Sequence, residues 1–70
     1  MDLLLYIETQ FIPEYIQRMQ SKGYTHVNAY AEPIGIGINI VITNAGKWVN
    51  EFCVTNVDGQ LLYIPVIRTA

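Results

Sequence analysis

The sequence predicts a two-layer α+β domain: one N-terminal amphipathic helix, kinked near Pro13, packed on a four-stranded antiparallel meander in the order αββββ. Three observations predict it. Apolar residues recur at three-to-four spacing through the first part of the chain and at a spacing of two beyond Gly23. Clusters of Gly, Asn and Pro then divide the second part into short runs. The run Gly35-Ile36-Gly37-Ile38-Asn39-Ile40-Val41-Ile42-Thr43 places isoleucine on strict alternate positions, which in a strand builds a β-branched wall on one face.

The helix is expected over residues 2–22. Leu4, Ile7, Phe11, Tyr15 and Met19 form its apolar stripe, widened by Ile12 and Ile16, with Gln10, Glu14, Gln17, Arg18 and Ser21 opposite. Asp2 suits the N-cap, and Lys22-Gly23 supplies a basic last turn and a left-handed stop. Pro13 cannot donate to the residue-9 carbonyl and crowds it, so a kink or restart is expected there. Residues 3–7 are apolar all round, and a short buried strand with the helix starting near Thr9 is the alternative.

The first strand is expected over residues 24–31, with Glu32-Pro33-Ile34-Gly35 as a turn before the isoleucine strand. Asn44-Ala45-Gly46 breaks that strand, and residues 47–55 form the third. Asn56-Val57-Asp58-Gly59 reads as a type I turn closing on glycine. The last strand, residues 60–68, contains Pro65, which removes a ladder donor and so belongs at a sheet edge or faces outward. Loops this short between consecutive strands make a meander.

Seventy residues form one domain, 1–70, near the lower limit for folding without a staple. A hydrophobic content of 51% is high for so small a body, and it points to self-association or to docking on a larger partner. The net charge is −2, with Arg18, Lys22, Lys47 and Arg68 scattered along the chain. No basic stripe exists to neutralise phosphates, so direct nucleic-acid binding is not expected. The single Cys53 excludes an internal disulfide framework and reads as a buried, inert thiol. The start Met-Asp, without a basic region or a long apolar run, gives no signal peptide or membrane span, so a cytoplasmic location is expected.

One helix covers one side of a four-stranded sheet, and function is expected on the other. That face collects Gly37, Asn39, Val41 and Thr43, with His26, Asn28 and Tyr30 from one neighbouring strand. The other neighbour adds either Val49, Glu51 and Cys53 or Trp48, Asn50 and Phe52. Tyrosine and tryptophan combine large contact area with a polar handle. Tyr30 and Trp48 are therefore the expected anchors of a partner-binding set completed by Asn39, Asn28 and His26.

Chemistry is thinly represented. Acid–base work needs His26 beside Glu32 or Glu51, and nucleophilic work needs Cys53 beside His26. Ligand spacing for a metal is missing, and Gly35-Ile36-Gly37 lacks the third glycine and lysine of a phosphate loop. No catalytic residue, metal or cofactor is expected. The sequence thus reads as a non-catalytic inhibitor or adaptor docking on a larger protein, of the size class that phages and other mobile elements often direct at host proteins. The alternative is a homo-oligomeric small-ligand binder or minor enzyme, with an interface pocket lined by Tyr30, His26 and Asn39.

Overall fold

A computed structural model describes residues 2–67. Helix α1 (Leu3–Tyr6) runs through a π turn (Ile7–Phe11) into α2 (Ile12–Ser21), and the strands follow as β1 (Val27–Ile34), β2 (Gly37–Asn44), β3 (Lys47–Val57) and β4 (Gln60–Pro65). The sheet is antiparallel in the order β1-β2-β3-β4, so the α+β meander is as expected. Among the described residues, no helix is long and apolar enough to cross a membrane.

The first residues are helical, and the strand alternative is discarded. Asp2 is the cap: its Oδ1 accepts from the Leu4 N–H at 3.0 Å and the Leu5 N–H at 3.4 Å. Pro13 is accommodated by a change of helical register. Through Ile7–Phe11 the bonding widens, so that the Ile12 N–H donates to the Ile7 carbonyl five residues back. Pro13 then falls in the first turn of α2, where a missing N–H costs nothing. A Schellman closure ends the helix, with Gly23 N–H donating to Gln20 O and Tyr24 N–H to Met19 O.

The apolar stripe packs as its spacing requires. Ile7, Ile12 and Met19 are buried against Ile38, Ile40, Ile42, Phe52 and Val54, with Leu4, Phe11, Tyr15 and Ile16 around them. Only three of the four isoleucines build the wall, because Ile36 sits in the β1–β2 turn and is 91% exposed. Glu32, Pro33 and Ile34 belong to β1 rather than to a turn, and β1 begins at Val27 instead of Tyr24. The chain needs only Gly35 and Ile36 to reverse, a two-residue hairpin that leaves the preceding residues free to pair.

Two further hairpins also use two-residue loops. Ala45 and Gly46 have φ of 53° and 79°, and Asp58 and Gly59 have 52° and 83°. Both are the mirror-image turns that suit the right-handed twist of strands. The expected type I turn at 56–59 is therefore replaced, and β3 extends to Val57 before it reverses. Pro65 closes β4 at the sheet edge; Arg68, placed in this strand by the sequence pattern, lies outside the described residues.

One irregularity decides which side chains reach the open face. Ile42 pairs with Asn50 but Thr43 pairs with Trp48, so Val49 is an extra residue in β3. Beyond this bulge the alternation of β3 is reset. Asn50 and Phe52 point toward the helix, where Asn50 Nδ2 donates to the Tyr15 hydroxyl at 3.1 Å. Trp48 instead joins Glu51 on the opposite face. Neither of the two expected β3 sets is right, because each assumed an unbroken period of two.

Candidate functional site: the open sheet face

Cross-strand register arranges the uncovered face in rows. One row is Asn28, Thr43 and Trp48; the next is Tyr30, Val41 and Glu51; a third is Glu32, Asn39, Cys53 and Ile64. Tyr30 is 53% exposed and Trp48 is 39% exposed, so both expected anchors present large aromatic surface outward. Val41, between them, is buried although no helix lies above it. Side chains of the face itself provide its cover.

The centre of this face is Glu51, a carboxylate only 7% exposed. The Trp48 indole N–H donates to its Oε1 at 3.0 Å, and Asn39 Nδ2 donates to its Oε2 at 2.9 Å. Each carboxylate oxygen thus meets a donor, as burial of a charged group requires. The consequence is positional: the carboxylate fixes the indole of Trp48 and the amide of Asn39 in one hydrogen-bonded unit across β2 and β3. Asn39 is accordingly a fixed element of the face rather than a free amide. The sequence pattern does not single out Glu51 as the organiser, because its role depends on the bulge that brings Trp48 to the same side.

Close strand packing continues beneath. A Cβ at Gly37 would lie 2.9 Å from the Val54 carbonyl oxygen and 3.0 Å from Cys53 Sγ, so only glycine fits there. Cys53 itself is half-buried, less enclosed than its strand pattern suggests. Thr55, in the adjacent position, has a buried hydroxyl with no hydrogen-bond partner among the described residues.

The other expected residues are placed less centrally. Asn28 Oδ1 turns back to accept from the Ala29 N–H at 2.9 Å. His26 precedes β1 at the sheet end; its Nδ1 lies 2.8 Å from Thr25 Oγ1, and its N–H donates to Asn44 Oδ1. At about 3.3 Å per residue, His26 is roughly 13 Å along the strand from Tyr30 and roughly 20 Å from Glu32. The face therefore unites Tyr30, Trp48 and Asn39 and leaves His26 at its margin, apart from both carboxylates considered for it. No group of three or more potential metal-ligating side chains occurs among the described residues.

Concavity lies on the opposite side of the sheet. A cleft of about 400 Å³ is lined by Tyr6, Phe11, Glu14, Tyr15, Arg18 and Tyr63. An adjoining one of about 310 Å³ reaches Asn50, Phe52 and Pro65. Neither of these two clefts includes Tyr30, His26 or Asn39. No family model, curated protein or solved structure matches this chain.

Proposed function

We propose that this protein is a non-catalytic interaction module that docks on a larger protein through its open sheet face, acting as an inhibitor or adaptor. The observation that carries the reading is Glu51, which pins Trp48 and Asn39 in place on a face that no helix covers, next to exposed Tyr30. A rigid aromatic anchor ringed by satisfied polar groups loses little freedom on binding, which is the property of an interface hot spot. Small size and apolar excess fit the same reading, as they do for the short host-directed proteins of phages and other mobile elements.

The test is affinity capture from cells of the source or its host, using the parent and the folded variants Trp48→Ala and Tyr30→Ala in parallel. One stoichiometric larger protein should be held by the parent and lost by Trp48→Ala. Retention of the same partner by both variants overturns the assignment to this face.

A further inference from the structure

The two edges of the sheet differ in a way that assigns one of them a partner. Main-chain direction alternates along an antiparallel strand, so one recorded bond fixes the parity of each edge. At β1 the His26 carbonyl accepts from Ala45 N–H at 3.0 Å, which places the main chain of Val27, Ala29, Ala31 and Pro33 outward. Two of these four positions are blunted. Asn28 Oδ1 takes the Ala29 N–H, and Pro33 has none. Glu32 adds a charge to the same strand. Such devices keep an edge from pairing.

At β4 the Val66 N–H donates to Glu51 O at 2.9 Å, so Leu62 and Ile64 bond inward to β3, whereas Leu61, Tyr63 and Pro65 turn their main chain outward. The Leu61 and Tyr63 donors carry no such cap among the described bonds. Gln60–Pro65 contains no charged residue, and Leu62, Tyr63 and Ile64 are each roughly half exposed, on both faces of the strand. The aromatic cleft lies beside it: Tyr63 stacks on Phe11 with ring centroids 5.5 Å apart and lines the cleft together with Tyr6, Tyr15 and Arg18.

We infer that β4 pairs antiparallel with β4 of a second copy across a two-fold axis, joining two four-stranded sheets into one. An identical strand is the occupant that this edge fits best. Under a two-fold axis an antiparallel edge is complementary to itself, and an uncharged strand meets its copy without like-charge repulsion. Setting Leu61 opposite the partner's Tyr63, and the reverse, uses the outward donors of both copies and leaves Pro65 at the end of the ladder, where it interrupts nothing. Leu62 and Ile64 then extend the apolar contact on one face. The two clefts merge on the other into a groove floored by both Tyr63 rings. The pairing runs along the β4 edge and borders the docking face, since Leu62 and Ile64 lie on the same side of the sheet as Cys53; neither reading depends on the other.

Amide hydrogen exchange combined with sedimentation tests the inference. In a lone chain the Leu61 and Tyr63 amides are solvent-facing and exchange fast, while those of Leu62 and Ile64 are protected by β3. The parent at about 1 mM should sediment as a dimer with all four amides protected, and dilution should release Leu61 and Tyr63 alone. Leu62→Lys should be monomeric, with exchange at Leu61 and Tyr63 faster by about tenfold or more and the Ile64 amide still protected. A monomeric parent overturns the inference. So does a dimer in which Leu61 and Tyr63 exchange as exposed amides, or one abolished by Trp48→Ala and untouched by Leu62→Lys. If Leu62→Lys does not fold, the exchange pattern of the parent alone decides between pairing and no pairing.

Discussion

The Trp48 indole N–H and the Glu51 carboxylate meet at 3.0 Å on a sheet face that, among the described residues, has no second layer above it. The pairing exists because Val49 is looped out of register, which brings residues three apart in β3 to the same side. Asn39 holds the second carboxylate oxygen at 2.9 Å from the neighbouring strand. A carboxylate is thereby buried without a helix to cover it, and an aromatic ring is held with much of its surface exposed.

Glu51→Gln should expose how much this unit contributes. The amide keeps the shape but offers one acceptor oxygen, so one of the two donors faces an NH₂ group. The expected loss is about 1–3 kcal/mol. For a domain of this size that is a fall in melting temperature of roughly 4–8 °C per kcal/mol. The Trp48 indole proton should also exchange faster. An unchanged melt and an unchanged indole resonance would show that the hydrogen bonds contribute nothing.

Ala45 occupies a left-handed conformation, φ 53°, that its Cβ disfavours. Asparagine tolerates it and is the preferred first residue of this turn ahead of Gly46. Ala45→Asn should raise stability by about 1 kcal/mol, read as a higher urea midpoint with an unchanged slope. A lower midpoint would contradict the turn assignment.

Thr55 carries a buried hydroxyl without a partner among the described residues. Thr55→Val preserves the branched shape and removes that group, so it should stabilise the fold by about 1 kcal/mol or more. Destabilisation would mean that the hydroxyl is satisfied in solution.

The Tyr63 phenol titrates above its ordinary value of 10.0, first because burial disfavours the anion and second because Tyr6 lies near. The folded state therefore holds this proton more tightly than the unfolded chain does. Its contribution is complete below pH 10 and is lost as the pH rises through the folded value. Thermal melts should fall across that alkaline window, and more shallowly for Tyr63→Phe. Identical slopes for the two proteins would contradict it.

The helix stripe, the four strands and the sheet order were legible because each follows from a local period or turn signal. What was not legible came from events that shift a period by one. The π turn moved Pro13 to a harmless position without breaking the helix. Two-residue turns lengthened β1 and β3 and removed Ile36 from the wall. The bulge at Val49 transferred Trp48 to the open face, so Tyr30 and Trp48 could be chosen as exposed aromatics but Glu51 could not be chosen as their organiser. Edge chemistry was half visible: Pro65 marked an edge, but the direction of the Leu61 and Tyr63 donors needed the ladder itself.

Trp48 and Tyr30 are proposed to anchor an interaction surface on the open face, and a binding affinity tests that most directly. The measurement is the affinity of the captured partner for the parent, for the double variant Tyr30→Ala/Trp48→Ala, and for Leu62→Ala as an edge control, with folding verified by circular dichroism. Hot-spot anchors cost at least about 2 kcal/mol each when truncated, so the double variant should bind on the order of a thousandfold more weakly, with the edge control within about threefold of the parent. Parent-like affinity in the double variant would contradict the proposal.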